Sequence, residues 1–217
     1  MTNDKTLQDH VMAELNWEPR VKAAHIGVSA KNGVVSLTGH VDTFAEKNAA
    51  ETAAWRVNGV KGIAQEIEVR LPDSVKHTDE DIAAAVLTRL SWDVEVPPKA
   101  VSVKVQDGWL TLAGEVEWQF QKTEAEDDSC GVMGVTGVSN QITLKPRVNV
   151  GDIASSIRTA LHRSWFFDPR TITVKADGGM VKLSGTAKTW HDRDVAGRTA
   201  WLAPGATSVQ NDIEVAV

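Results

Sequence analysis

Val35-Ser-Leu-Thr-Gly-His-Val41 decides the fold, because the chain writes that stretch three times. It returns as Leu110-Thr-Leu-Ala-Gly-Glu-Val116 after a shift of 75 residues, and as Val181-Lys-Leu-Ser-Gly-Thr-Ala187 after a further 71. Each version alternates apolar and polar residues, the pattern of a strand with one buried face. Each also holds a glycine at the same place, Gly39, Gly114 or Gly185. A glycine inside a strand predicts a bulge or the close approach of another backbone.

The residues on either side repeat in the same register. Immediately upstream stand Asn32-Gly33, Asp107-Gly108 and Gly178-Gly179, pairs that tolerate the positive φ of a tight hairpin turn. The runs Ile26/Val28, Val101/Val103/Val105 and Ile172/Val174 before them predict the partner strand. Further back, Leu7/Val11/Leu15, Ile82/Val86/Leu90 and Ile153/Ile157/Leu161 are spaced i, i+4, i+8, one buried face of a short helix. Asn3, Thr78 and Asn149 precede these triplets by four residues, where a side-chain oxygen caps the helix start.

Downstream, Ala45 to Val57 reads as a second helix, more polar in the second copy, where Glu124, Glu126, Asp127 and Asp128 crowd together. It stops near Gly59, Gly134 or Gly205, and a last strand follows with Ile63, Ile67 and Val69 or their equivalents. The third copy departs at Leu202-Ala-Pro-Gly-Ala-Thr-Ser-Val209, so the end of its second helix is less well defined. The fold class is therefore α+β. Three tandem αββαβ modules are expected, each a three-stranded mixed sheet with two helices packed on one face and a right-handed strand–helix–strand crossover. Their bounds are residues 1–71, 77–146 and 148–217. Modules this small bury little apolar surface. The short connectors, with Pro72 and Pro146, are stiff enough to favour contact between neighbours.

Composition narrows the function. With 42% hydrophobic and 24% charged residues, the chain has the balance of a globular rather than a disordered protein. No run approaches the roughly 18 apolar residues of a membrane span. The N-terminal stretch lacks the apolar core of a secretory signal, which predicts a cytoplasmic chain, or a periplasmic one if a leader has been removed. A single cysteine, Cys130, leaves no internal disulfide. The charge of -6 is uneven: 8 Lys and Arg against 9 Asp and Glu over residues 1–71, 6 against 13 over 72–146, and 9 against 7 over 147–217. The copies thus carry -1, -7 and +2, which argues against nucleic acid as a partner.

No phosphate-binding glycine loop, HExxH, CxxC or GxSxG is present. His10, His25, His40, His77, His162 and His191 lack metal-ligand spacing. His191-Asp-Arg-Asp194 falls at a helix start, where acids are favoured by the helix dipole. Cys130 takes the helix position of Trp55 and Trp201 and reads as a packing thiol. The expectation is a non-enzymatic chain without a cofactor.

The aromatic residues carry more. Eight Trp stand against no Tyr. Trp17 and Trp92 are equivalent, two residues past the last apolar residue of the first helix; the third copy has Arg163 there and moves its aromatics to Trp165-Phe166-Phe167. Adjacent rings cannot all face one core. Either they close the end of the core or pack between modules, or, with Arg158, Arg163 and Arg170, they meet a membrane at its headgroup boundary. The lipid-binding candidates are thus Arg158, Arg163, Trp165, Phe166, Phe167 and Arg170. Lys47, Lys122 and Arg193 recur in the first turn of the second helix, where a cation opposes the dipole. A salt bridge to an acid such as Glu51 or Glu126 is expected, with anion binding as the alternative.

The repeated motifs, together with Val57-Asn-Gly-Val-Lys-Gly-Ile63 and Val132-Met-Gly-Val-Thr-Gly-Val138, resemble the BON domain. That module is named for bacterial osmotically inducible periplasmic proteins and nodulation proteins. The resemblance implies a bacterial stress-associated protein that binds a surface, with phospholipid the favoured class. A cytoplasmic relative that joins the module to a LysM domain binds potassium, so a potassium sensor is a second implication. Backbone oxygens of Gly59, Gly62, Gly134 and Gly137 are then the candidate ion ligands. A scaffold for a protein partner, using faces between copies, is a third.

Overall fold

Three left-handed dipeptides set the hairpins. Asn32 and Gly33 have φ of +54° and +85°, Asp107 and Gly108 +52° and +75°, and Gly178 and Gly179 +53° and +91°. Such turns match the right-handed twist of the strands they join. The computed structural model describes residues 4–72, 77–146, 152–163 and 171–215. By backbone proximity the chain divides into two units, Met1–Gly114 with Lys122–Ile142, and Glu115–Gln121 with Thr143–Val217.

Each copy has the expected order of elements. In the first, α1 (Asp4–Trp17), a 3-10 turn (Ala23–His25), β1 (Ile26–Lys31), β2 (Val34–Val41), α2 (Phe44–Trp55) and β3 (Gly62–Val69) follow one another. The second runs α3 (Asp79–Trp92), β4 (Val101–Gln106), β5 (Trp109–Val116), α4 (Gln119–Cys130) and β6 (Gly137–Leu144). The third runs α5 (Ile153–Arg163), β7 (Ile172–Asp177), β8 (Met180–Ala187), α6 (Trp190–Trp201) and β9 (Ser208–Val215). The hairpin partner and the last strand flank the middle strand, giving sheet orders β1-β2-β3, β4-β5-β6 and β7-β8-β9. β1 is antiparallel to β2 with Val28 opposite Leu37, and β3 is parallel to β2 with Gln65 opposite Leu37. The third copy repeats both registers. At Gly39, Gly114 and Gly185 an added Cβ would fall 2.1, 2.0 and 1.9 Å from the carbonyl oxygens of His25, Ala100 and Thr171. Close backbone approach, rather than a bulge, explains the repeated glycine.

The core lies between sheet and helices. Leu7, Val11 and Leu15 of α1 meet Val35, Leu37, Val41 and Ile67 of the sheet, and Ala50, Ala53 and Ala54 let α2 lie close on the same face. Ile157, Leu161, Val181, Leu183, Ala196, Ala200 and Ile213 do the same in the third copy. The second copy differs at its first strand, where Val101, Val103 and Val105 are only half-buried. Thr78 caps α3 in a capping box with Asp81. Asn3 and Asn149 lie outside the described residues, and at the start of α5 the Asp152 carboxylate accepts from the Ser155 N–H (2.9 Å). The second helices span 12 residues in all three copies, so the altered third-copy sequence does not shorten α6.

The repeated cation of the second helix finds a partner other than the expected acid. Lys47 Nζ donates to the Ile67 carbonyl (2.7 Å) and Lys122 Nζ to the Ile142 carbonyl (2.7 Å). Arg193 reaches the Ile213 and Asn211 carbonyls (3.0 and 2.7 Å). On the same edge Gln65, Asn140 and Asn211 accept with their side chains from the N–H of Ile67, Ile142 and Ile213. Among the described residues the last strand of each sheet has no neighbour beyond it, and an open edge invites unwanted pairing. The cation therefore seals an edge. The salt bridges expected to Glu51 and Glu126 are replaced because Glu51 accepts from Gln65 and Glu126 from Asn140.

Candidate functional site

The position that ends the first helix is the place to begin. The helical triplet turns Leu15, Leu90 and Leu161 inward, and two residues later the chain has turned about half a helical revolution. That geometry sends Trp17, Trp92 and Arg163 outward. Trp17 and Trp92 are each 84% exposed, and Arg163 is exposed as the last residue of α5. Two large aromatics and one cation thus occupy one repeated surface position.

On α5 the neighbouring candidates behave alike. Ile157 and Leu161 are buried while Arg158, His162 and Arg163 face out. Arg158 touches Asp152 only at 3.8 Å. Trp165, Phe166, Phe167 and Arg170 lie outside the described residues.

Behind Trp17 the first copy holds a charge network that sequence reading missed. Glu18, 6% exposed, receives Arg20 Nε (2.9 Å) and Arg56 Nη2 (3.1 Å), and Arg56 Nε also reaches Glu14 (2.8 Å). The Arg20 guanidinium first, with Arg56 beside it, holds the Glu18 carboxyl at about 2 against the opposing pull of burial. Arg56 is 38 residues from Glu18, so no local spacing announces the pair.

The second copy builds its link with the charges exchanged. Arg89 of α3 pairs with Asp128 of α4 (2.9 Å). Its guanidinium lies over Gly131, where an added Cβ would be 3.1 Å from Nη1. Gly131 is the equivalent of Arg56, so a missing side chain makes room for the reversed pair. The remaining acids stay crowded. Burial first, then Glu95, Asp127, Asp93 and Asp128, push the Glu124 carboxyl upward; burial first, then Glu126 and Asp128, do the same to Asp127.

The glycines proposed as ion ligands sit in packed backbone. The Gly59 carbonyl oxygen lies 3.2 Å from where a Cβ on Gly33 would be, and that of Gly134 lies 2.8 Å from the same point on Gly108. The turns are tied to the hairpins by Lys61 N–H to the Gly33 carbonyl (2.7 Å) and Thr136 N–H to the Gly108 carbonyl (2.9 Å). Gly62 and Gly137 open β3 and β6.

Other sequence candidates resolve into structure. Cys130 is buried, and burial pushes its thiol up to about 12, a protonated packing group. In His191-Asp-Arg-Asp194, Asp192 completes a capping box with Thr189, Arg193 seals the edge of β9, and Asp194 pairs with Arg198 (2.7 Å). His25 and His40 stack with ring centroids 4.8 Å apart at 14°, a pair that lies 15 residues apart and escapes spacing rules. Among the described residues no three His, Cys, Asp or Glu side chains gather to hold a metal. No described helix is long and apolar enough to cross a membrane.

Comparison with known proteins adds four findings. The family profile of the BON domain matches residues 3–70, 78–146 and 149–217. The chain is 31% identical over 147 residues to osmotically-inducible protein Y of Escherichia coli K12, covering 66% of this chain and 73% of that one. It is 29% identical over 139 residues to a 21 kDa hemolysin of Actinobacillus pleuropneumoniae, covering 63% and 71%. Among solved structures, CdsD of the Chlamydia trachomatis type III secretion system aligns over 96% of this chain and 91% of its own, at 14% identity and a TM-score of 0.28; at that score it carries no argument.

Proposed function

The chain belongs to the BON domain family, and we propose that it is a non-enzymatic, stress-associated binding protein that docks on phospholipid surfaces through the ends of its first helices. The observation that carries this reading is the repeated outward position: Trp17 and Trp92, each 84% exposed, and Arg163 at the same place in the third copy. Indole rings and guanidinium groups are the side chains that gain most at a headgroup boundary, with rings in the apolar margin and cations against phosphate. Exposed rings and a cation recurring at one position of the module fit a surface that is apolar at its margin and anionic at its headgroups.

The three copies divide the work by charge. The third, at +2, supplies attraction to anionic headgroups through Arg158 and Arg163, extended in sequence by Trp165-Phe166-Phe167 and Arg170. The second, at -7, contributes Trp92 as an aromatic contact and no electrostatic attraction. Kinship with an osmotically inducible protein supports a role under osmotic stress, and kinship with a protein named a hemolysin fits a membrane-directed one. Binding rather than catalysis is supported by Cys130, buried and protonated, and by His191–Asp194, fully engaged in a helix start.

Co-sedimentation with phosphatidylglycerol and phosphatidylcholine vesicles tests the proposal. The wild-type chain should pellet with the anionic vesicles. Arg158→Glu/Arg163→Glu should weaken this by at least roughly thirtyfold, from about 1 kcal/mol for each of the two juxtamembrane cations. Trp165→Ser/Phe166→Ser/Phe167→Ser should weaken it further while the circular dichroism spectrum is kept. Equal pelleting of all three proteins rejects the reading.

A further inference from the structure

The open face of the second sheet, opposite its helices, carries a depression. Lys104 and Gln106 of β4 and Trp109 and Thr111 of β5 project from that face in two register pairs, Lys104 opposite Thr111 and Gln106 opposite Trp109. With Asp107 of the turn they line a shallow depression of about 240 Å³. Trp109 is 53% exposed.

The indole is seated there by a glycine. A Cβ on Gly137 would fall 2.4 to 2.9 Å from Cζ3, Cε3 and Cη2 of the Trp109 ring. Gly137 has no positive φ, so space rather than backbone conformation accounts for it. The other copies lack the arrangement. Gly62 would meet only Val34 Cγ2, at 3.9 Å, and the third copy pairs Met180 with Ser208. The adjoining turn is also fixed, since the Asp79 carboxylate accepts from the N–H groups of Asp107 (2.8 Å) and Gly108 (2.9 Å). A flat ring is thus held on a sheet face at a position where the other copies have Val34 and Met180.

We infer that this depression binds one pyranose ring of a neutral oligosaccharide, stacked on Trp109 and ringed by Lys104, Gln106, Asp107 and Thr111. Its volume is below the roughly 300–1,000 Å³ of ordinary small-molecule sites, which suits a single ring. A pyranose has one apolar C–H face and a rim of hydroxyls that both donate and accept. The lining matches it: an amide and a hydroxyl do both, an ammonium donates and a carboxylate accepts. Anions are disfavoured by the -7 charge of this copy. A cationic ligand over the indole would face Lys104.

The test is tryptophan emission and calorimetric titration of the full chain with cellotriose and chitotriose. Wild type should bind at least one, with a change in emission. Trp109→Ala should lower the affinity at least tenfold, and Gly137→Ala, which displaces the ring, should lower it severalfold. Trp55→Ala, in the first copy, should bind as wild type does. Thermal melts of each variant separate loss of the site from loss of the fold. Failure of the wild type to bind either sugar, or undiminished binding by a folded Trp109→Ala, overturns the inference. So does preferential quenching of Trp109 by a single-stranded oligonucleotide, which would make the ring a base-stacking platform.

Discussion

In the first copy the link between the two helices places the acids, Glu14 and Glu18, on and just beyond α1 and the cation, Arg56, at the end of α2. In the second the cation, Arg89, is on the first helix and the acid, Asp128, on the second. The order of helices and strands is the same in both. What differs is which side chain reaches across, and the glycine at 131 where the first copy has arginine makes the reversal sterically possible. The exchange also leaves unequal surroundings. The first copy neutralises its buried carboxylate, whereas the second keeps Glu124 and Asp127 pressed against other acids. A tandem repeat can thus hold one core while its helical faces acquire opposite electrostatic characters.

Breaking the two links should have different costs. Arg89→Ala leaves Asp128 unpaired and should destabilise by about 1–3 kcal/mol, the range for stripping a buried polar group of its partner. Arg56→Ala takes a partner from two carboxylates, Glu14 and the buried Glu18, which keeps Arg20, and should lower the thermal midpoint more; an equal or smaller shift would mean that the network contributes less than its geometry suggests. If the copies are equivalent scaffolds, Arg89→Glu/Asp128→Ala/Gly131→Arg should rebuild the first-copy link in the second. The triple variant should recover most of the Arg89→Ala loss, with coupling of roughly 0.5–3 kcal/mol, read from denaturant midpoints. Where the copies agree, effects should agree too. Lys47→Met and Lys122→Met each remove a bond to an edge carbonyl and should cost about 1 kcal/mol in either copy, with increased self-association by light scattering.

The smallest contrast is in pH dependence, where the copies should have opposite signs. Glu18, held at about 2 against an ordinary 4.5, contributes its full stability above pH 4.5 and loses it as pH falls towards 2. Melts of wild type and Glu18→Gln should therefore converge across that window. Glu124 is shifted upward, so its charged form is a penalty at neutral pH that eases on acidification. Glu124→Gln should melt higher than wild type at pH 7, with the advantage shrinking as pH falls. Parallel curves for either variant would contradict the corresponding assignment.

The fold was legible because its signals are local and repeated three times. Asn32-Gly33 specifies its turn, and Leu7/Val11/Leu15 specifies its helix face, without reference to distant residues. Gly39 was readable as a special position, and only the structure shows that the His25 carbonyl is what it admits. Of the lipid-binding candidates, Arg158 and Arg163 are described and face outward, Trp165, Phe166, Phe167 and Arg170 lie outside the described residues, and the equivalence of Trp17, Trp92 and Arg163 follows from register alone. The charge partners were not. Lys47 had Glu51 at the favoured helical spacing, yet it reaches Ile67, because an unpaired edge carbonyl has a greater need of a donor than a solvated carboxylate has. Gly137 reads in sequence as a candidate backbone ion ligand, and its use as the seat of Trp109 depends on strand pairing that no local pattern encodes.

The central claim, that exposed rings and cations at the first-helix ends hold the chain on anionic lipid, is tested most directly by vesicle binding as a function of salt. Screening shortens from about 8 Å at physiological ionic strength to about 3 Å at 1 M. Binding to phosphatidylglycerol vesicles should therefore fall steeply over that range, and the residual should follow the blue shift of tryptophan emission. Binding that ignores salt and lipid charge, or no binding at any salt, would contradict the account. A rise in thermal midpoint with potassium but not sodium would then direct attention to the glycine turns at Gly59 and Gly134 instead.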